Sequence, residues 1–595
     1  MKLRLWPGIV FAVLLLLFVF VGPLVIREAN LAIIVAPLGL GVLISLWWIF
    51  FSRAPWTDRI LAVAVMAVAG YATLFVVHPS IRGGYMGRMV PFFFAIPGLP
   101  VAVVAWAAAT RRMSAASRRA WLVVTALLAM GFFSLFRTDG VRGGMSDLKW
   151  RWTPTAEDRL MARAPDAPAA AEKPAAVAVP SAPVASAPAP EAVVDKPAAP
   201  PAPAPVKMEV RWPGFRGGER DSVVRGVQIG TDWSASPPTE LWRRAIGPGW
   251  SSFAVAGDLL FTQEQRGPDE IVGAYRASTG KPVWMHKDPV RFYESNGGAG
   301  PRGTPTIDNG RVYAMGATGI VNVLDAATGV LVWKRDSVAD AGIQLPGWGI
   351  TSSPLVLDDQ VVVAVSGALL AYDRTSGEKR WFVKSTGGGY SSPQLVTIDG
   401  VKQVLLLAGS GLTSVSPADG TVLWRSAFTG VPIVQPAAIG ERDVLFTSSD
   451  AMGGLGARRL AITHGRDGWK VEERWTTNGL KPYFNDYVIH KGHAYGFDGN
   501  ILACLDLADG SRKWKGGRYG NGQVVLLADQ DLLLVISEEG EIALVSATPD
   551  QFKEVAGRIP AIEGKTWNHP VVVGDRLFVR NGQEMAAFRL PVLNQ

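Results

Sequence analysis

Two kinds of hydrophobic pattern divide this chain. Residues 1–137 are dominated by five unbroken apolar runs, roughly 5–26, 31–51, 59–78, 89–109 and 119–137. Each is close to the ~20 residues that a helix needs to cross the hydrocarbon core of a bilayer. They predict an all-α, five-helix transmembrane domain. The first run is too long for a signal peptide and lacks a small-residue cleavage pattern. Pro91, Pro97 and Pro100 fall in the fourth run, where neighbouring helices can absorb a kink. From residue 207 to 595 the pattern changes to short alternating or β-branched runs such as "PLVLDDQVVVAVSG" and "QLVTIDGVKQVLLLAG", separated by turn residues. That is the signature of short antiparallel strands.

Between the two regions, residues 165–206 are Pro/Ala-rich sequence with almost nothing to bury. They predict a disordered, extended linker with a reach of at most ~3.1 Å per residue. Residues 138–164 form the juxtamembrane stretch, in which "DLKWRWTPTAEDRLMAR" (147–163) suggests an amphipathic segment.

The strand-rich region repeats itself. One element recurs as "AYRASTGKPVW" (274–284), "VLDAATGVLVW" (323–333), "AYDRTSGEKRW" (371–381), "SVSPADGTVLW" (414–424) and "CLDLADGSRKW" (504–514), with a looser copy ending at Trp475. A strand ends in an Asp/Thr/Ser turn, a glycine supplies φ > 0, and the next strand begins. The tryptophan offers a flat surface for docking on the adjacent unit. Four short strands per repeat with a docking aromatic describe a β-propeller blade. Trp242, Trp284, Trp333, Trp381, Trp424, Trp475 and Trp514 mark successive blades, followed by one at about 523–559 and a final three-stranded unit at 567–590. The isolated strand "TELWRRAI" (239–246) should supply the missing fourth strand. The prediction is an all-β, eight-bladed propeller closed by strands from both ends of the region.

The tryptophan-docking repeat resembles the PQQ-like propellers of the quinoprotein dehydrogenase superfamily, over about 207–595. "WPGFRGGERDSVV" (212–224) is similar to the opening segment of bacterial members, apart from Gly218, where a proline is expected. The resemblance implies the fold. For function it implies two classes, because the group holds both pyrroloquinoline-quinone (PQQ) dehydrogenases and a non-catalytic propeller lipoprotein of the outer-membrane assembly machinery. Its membrane-bound glucose dehydrogenases likewise begin with five membrane helices.

Charge separates the regions further. Residues 1–164 carry 17 Lys+Arg against 6 Asp+Glu, whereas residues 207–595 balance to −1. The basic character therefore belongs to the membrane part, and a neutral propeller excludes a nucleic-acid binder. With the N-terminus in the cytoplasm, the inside segments hold Lys2, Arg4, Arg53, Arg59, Arg111, Arg112, Arg118 and Arg119, and the outside loops only Arg27, Arg82 and Arg88. This bias predicts a multi-pass inner-membrane protein with its propeller on the periplasmic or extracellular side. The single cysteine, Cys504, rules out an intramolecular disulfide and any multi-cysteine metal site.

Candidate chemistry gathers in the loops between blades, which meet at one mouth of a propeller channel. They read "GPGWSS" (247–252), "ESNGGAGPRGTP" (294–305), "PGWGITSSP" (346–354), "GGGYSSP" (387–393), "GLKPYFND" (479–486) and "EGKTWNH" (563–569). On one reading, glycine, serine and proline are there because strands crowd near the axis, and Glu294 and Arg302 pair with each other or face water. On the other, Glu294, Asn296, Asn485 and Asp486 offer oxygens to a cation, with Glu294, Asn485 and Asp486 as the candidate Ca²⁺ set. Arg302 and Lys481 would then hold an anionic quinone, with Trp348 or Trp567 stacked on its ring and His569 at the same mouth. No vicinal cysteine pair is present, and no cofactor signature transfers residue by residue. The expectation is therefore a membrane-tethered binding or scaffold module of the cell envelope, with an envelope protein or small molecule as partner. The alternative is a PQQ-dependent dehydrogenase, with Ca²⁺, passing electrons to membrane quinone.

Overall fold

The computed structural model describes residues 4–22, 31–142, 145–163, 208–384, 387–448 and 456–593. The expected linker at 165–206 lies outside the described residues. The chain divides into two compact units, Met1–Asp158 with Tyr293–Ala299, and Arg159–Phe292 with Gly300–Gln595.

The first unit is helical. Among the described residues, three stretches are long and apolar enough to cross a membrane: Trp56–Val76, Met89–Ala109 and Ala115–Phe133. Trp6–Phe20 and Val35–Phe51 are apolar but shorter. The proline-bearing run is not one regular helix. A π-helical segment, Met89–Ala95, carries Pro91 and feeds into Ile96–Ala109, which holds Pro97 and Pro100. A widened turn absorbs the hydrogen bond that proline cannot donate. Asp58 is 1% exposed and ties two helix starts together, pairing with Arg118 and, at 3.1 Å, with Arg119. The apolar pattern overextends the last helix, which stops at Phe133. Phe136–Arg142 instead pairs antiparallel with Met145–Trp150, so only Ala156–Ala162 of the expected amphipathic segment is helical. β-Branched Thr138 and Val141, with Gly140 at φ 108°, favour the hairpin over helix here.

The second unit is an eight-bladed propeller of antiparallel four-stranded sheets. Blades 2 to 7 follow chain order, from Thr306–Asp308 in blade 2 to Glu554–Pro560 in blade 7. Blade 8 combines Val571–Val573, Arg576–Arg580 and Glu584–Arg589 with Thr239–Ala245. The strand around Trp242 thus closes the ring, as its sequence position requires. Two short strands were not legible as such. Val210–Trp212 joins the inner edge of blade 1 beside Ala254–Ala256, and Val223–Val224 pairs in parallel with Leu526–Leu527 in blade 7.

The repeat motif explains how blades adhere. Gly280, Gly329, Gly377, Gly420 and Gly510 all lie at φ between 69° and 75°. Each faces the tryptophan of the preceding blade: a Cβ at Gly329 would come within 2.6 Å of Trp284, and one at Gly377 within 2.7 Å of Trp333. The indole N–H then donates across the boundary. Trp242 reaches Ala277 O at 2.9 Å, Trp284 reaches Ala326 O at 3.0 Å, and Trp333 reaches Arg374 O at 3.0 Å. Trp424 is the exception, donating to Gln403 Oε1 within its own blade at 2.7 Å. Blade 5, which follows it, has no such glycine turn, its outer hairpin being the longer Gly456–Gly465 and Gly468–Thr477.

This geometry separates two costs of adding a methyl group. Gly440 lies at φ 59° with nothing within 4 Å of its would-be Cβ, so Gly440→Ala should cost only about 1 kcal/mol of backbone strain. Gly329→Ala adds overpacking against Trp284 and should cost about 3 kcal/mol. Thermal melts of the full-length protein should show the larger drop for Gly329→Ala.

Candidate functional site

The innermost strands are stitched together at their starts. Thr304 Oγ1 accepts the Ser252 N–H, Ser353 Oγ the Thr304 N–H, and Ser392 Oγ the Ser353 N–H, each at 2.9 Å. Gln435 Nε2 donates to Pro393 O at 3.2 Å, and the Tyr487 hydroxyl to Gln435 O at 3.3 Å. The Asp486 N–H donates to Gln523 Oε1 at 3.4 Å, and Gln523 Nε2 to Trp567 O at 3.0 Å. Asn568 Nδ2 completes the circuit by donating to Ser251 O at 2.7 Å. Every blade takes part in this belt. Small hydroxyl residues recur in the loops because each must satisfy a neighbour's backbone near a crowded axis.

The segment 213–222 runs across the channel. Pro213 O accepts the Ile307 N–H at 2.7 Å in blade 2. Arg220 donates to Pro354 O at 2.9 Å in blade 3, and Glu219 O accepts from Gln394 at 3.0 Å in blade 4. Arg216 donates to Tyr487 O at 2.6 Å in blade 6, and Ser222 O accepts the Leu526 N–H at 2.9 Å in blade 7. A stretch bonded to five inner strands has to span the channel they surround. Arg216, Arg220 and Ser222 hold left-handed φ of 63°, 57° and 60°. Such strain persists only where surrounding contacts over-determine it.

Two cavities flank this plug. The one at the strand starts measures about 160 Å³, and the one further along the strands, beside Glu219 and Asp221, about 410 Å³. The first lies at the mouth and is walled by aromatics. Trp250 and Trp567 have ring centroids 4.6 Å apart, and Phe484 lies 4.7 Å from Trp567. Lys565 Nζ sits 4.3 Å from the Trp567 ring centroid, a cation–π contact. Trp348, Tyr390 and Tyr483 complete the wall, and Phe215 of the plug meets the His569 ring edge-on at 4.9 Å.

The carboxylate of the mouth is already committed. Asp486, 2% exposed, takes His569 Nε2 at 2.7 Å and Arg216 Nη1 at 3.3 Å. Burial alone would raise its carboxyl, but the Arg216 guanidinium and the His569 hydrogen bond hold it below the usual carboxylate range. Burial and the charge of Arg216 push Arg220 down to about 9, against the pull of Asp486. Arg302 lies over the Phe292 ring at 5.2 Å. Near it, burial lifts the Glu270 carboxyl to about 7. The Ala317 N–H and Arg302 oppose the rise, and Asp288 adds to it.

Of the residues singled out in the sequence, Arg302, Trp348, Asp486, Trp567 and His569 line this one cavity. The others do not. Glu294 and Asn296 belong to the helical unit through the hairpin of Tyr293–Glu294 and Gly298–Ala299. There Glu294 accepts the N–H groups of Asn296 and Gly297 at 2.9 and 2.8 Å, and Asn296 Oδ1 accepts the Tyr85 N–H at 3.1 Å. Lys481 pairs with Asp498 at 3.2 Å. Asn485 is buried, with Oδ1 accepting the Tyr483 N–H at 3.0 Å. Glu294 thus serves its own hairpin, Asn485 its own loop, and Asp486 already faces Arg216 and His569. Among the described residues no three His, Cys, Asp or Glu side chains gather to hold a metal. The residues present do not fit Ca²⁺. A mouth cavity of about 160 Å³ is also small for a quinone, since ligand pockets start near ~300 Å³. Sequence reading missed Phe215, Arg216 and Phe484. The signal for Arg216 was an arginine set among glycines before the first full blade, in a segment read only as a family likeness.

A PQQ-repeat family model, described as outer membrane protein assembly factor BamB, matches residues 234–347 and 268–516. The outer membrane protein assembly factor BamB of Yersinia pestis is 21% identical over 362 residues, 57% of this chain and 76% of that protein. The quinohemoprotein alcohol dehydrogenase ADH-IIG of Pseudomonas putida is 30% identical over 125 residues, 19% of this chain and 17% of the dehydrogenase. The crystal structure of BamB from Moraxella catarrhalis superposes with a TM-score of 0.43 at 16% identity, covering 60% of this chain and 99% of that one.

The buried acid near Arg302 gives the propeller a testable pH response. Between about pH 4.5 and 7 the folded state keeps the Glu270 proton that the unfolded chain has lost. Stability therefore falls as pH rises through that window, by about 3 kcal/mol from this group. Glu270→Gln should remove that component. Its melting temperature should change less between pH 5 and pH 8 than the wild type's, and parallel curves would show that Glu270 does not titrate there.

Proposed function

The propeller is PQQ-like, with the family model matching within residues 234–516, and on that premise we propose that the chain is a membrane-tethered binding module of the cell envelope. Its channel mouth takes an apolar or aromatic side chain from a partner protein. The carrying observation is the mouth cavity, with aromatic walls and its carboxylate, Asp486, already paired with His569 and with Arg216 of the plug. An apolar cavity of ~150 Å³ holds about one benzene ring, so the site suits one inserted side chain. Aromatic residues that wall such a pocket are the usual energetic anchors of an interface. The relatives named as outer membrane assembly factors support a protein partner in the envelope.

For the membrane part we propose five crossings with the N-terminus inside, the shorter helices included, so that the propeller stands on the far side of the inner membrane. The distribution of eight arginines and lysines against three supports this orientation.

Both proposals have direct tests. Protease added to intact spheroplasts should cut within 165–206 and release a propeller-sized fragment, whereas full protection would place the propeller in the cytoplasm. A photo-crosslinking residue at position 348 should capture an envelope protein in living cells. Trp250→Ala and Trp567→Ala should each lower that capture at least tenfold, since anchors of this kind are worth ~2 kcal/mol. A bound quinone chromophore, or dye reduction by the purified protein after adding PQQ and Ca²⁺, would replace this reading with the dehydrogenase.

A further inference from the structure

A second cavity, of about 620 Å³, lies away from the channel, on the propeller's rim. Its walls are Thr239–Ala245 of the closing blade and two strands of blade 1, Asp269–Arg276 and Pro282–Asp288, with Leu160, Met161 and Arg163 over them. It is therefore built where the two ends of the ring meet. Its volume falls in the ordinary range for ligand pockets, ~300–1,000 Å³.

The lining is polarised. Arg163, Arg243, Arg244, Arg266 and Lys287 line it, against one carboxylate, Asp269. Arg243 is neutralised locally, by Glu240 at 2.7 Å and Glu584 at 2.8 Å. Arg266 uses Nη2 on the buried Glu264 at 3.0 Å and on the Tyr275 hydroxyl at 3.2 Å. Its Nε is buried and makes no hydrogen bond among the described residues. Burial pulls Arg244 below its usual range; Arg266 and Arg163 add to this, and Tyr275 and Glu264 oppose it. Burial works against the Arg266 charge, but Glu264 and Tyr275 hold it above its usual range. The rest of the lining is apolar: Ile271 is fully buried, Trp284 is 8% exposed, and Pro282 and Met285 extend the same wall. Met161, 51% exposed, offers further apolar surface above.

We infer that this rim cavity binds an anionic amphiphile, with a phosphate group received by Arg244, Arg266 and Lys287 and a hydrocarbon part laid along Trp284 and Met285. Clustered guanidiniums recognise phosphate through charge-assisted, bidentate hydrogen bonds. A phosphate would also offset the effect of Arg266 and Arg163 on Arg244. The apolar wall distinguishes this cavity from a simple basic patch. An amphiphile engages the hydrocarbon wall as well as the cations, whereas free phosphate would use the cations alone.

The test is calorimetric titration of the full-length protein, in nanodiscs of phosphatidylcholine, with three ligands: dihexanoyl phosphatidic acid, inorganic phosphate and dihexanoyl phosphatidylcholine. Phosphatidic acid should bind, and phosphatidylcholine should not. Binding should weaken at least tenfold in Arg244→Gln, and also in the double variant Arg163→Gln with Lys287→Gln. The double variant changes two exposed side chains, so it keeps the test valid if Arg244→Gln unfolds. Inorganic phosphate binding as tightly as phosphatidic acid would show that the hydrocarbon wall contributes nothing and would overturn the amphiphile. Much weaker phosphate binding would support the lipid assignment. Phosphatidic acid binding that matches phosphatidylcholine, or that survives the double variant unchanged, overturns the proposal.

Discussion

The structure depends on one constraint: a four-stranded blade has two faces, and neither can stay wet. Each blade therefore needs a neighbour on both sides, and the only arrangement that provides this for all eight is a closed ring. At the rim, indole rings of successive blades lie on left-handed glycines of the next and donate a hydrogen bond there. At the axis, hydroxyl and amide side chains pass hydrogen bonds from strand to strand. The two circuits are complementary. One buries apolar area where blades are broad, and the other satisfies backbone polar groups where there is no room for large side chains.

That division explains how the mouth came to be aromatic. Short residues have to stand where the strands begin, so bulk is displaced one or two positions outward in the connecting loops. Trp250 stands just before Ser251, Trp348 shortly before Ser352, Tyr390 just before Ser391, and Trp567 just before Asn568. The same loops that stitch the axis thus raise a rim of aromatic rings around it. The plug then floors this rim with Phe215, while its arginines are held by Asp486 and by backbone carbonyls. A buried carboxylate beside two buried guanidiniums would be costly if any member were missing. The set fixes where the plug sits across the channel.

Much of this was legible from periodicity. The Gly-to-Trp spacing gave blade number, turn type and the register of docking, because a single residue type satisfies each of those steric demands. Closure by the strand at Trp242 followed from counting strands. The site was only half legible. Trp348, Trp567, Asp486 and His569 come together because loop position in a propeller fixes nearness to the axis. Glu294 and Asn296 break that rule. Their loop is long enough to form its own hairpin, and Ser295 then lies so near Gly83 that a Cβ there would sit 2.3 Å from its hydroxyl. Loop length carried that information, but the identity of what receives the loop is a long-range contact that no local pattern encodes. The plug was hidden for a related reason: a segment without periodicity takes its conformation from five separate blades.

The closing blade also sets a timetable. Ala245 pairs with Glu584, and Thr239 with Arg589, so the last sheet joins residues about 340 positions apart. At ribosomal rates of ~5–20 residues per second, the first of these strands waits roughly 17–70 s before its partner exists. Through that interval it is an unpaired edge, the form of β-structure most prone to pair with the wrong chain. Its sequence, TELWRRA, carries Glu240, Arg243 and Arg244 within seven residues. Charges at this density discourage edge-to-edge association. The biogenesis of the ring thus depends on a strand built to stay soluble alone for roughly 17–70 s and then to complete a sheet.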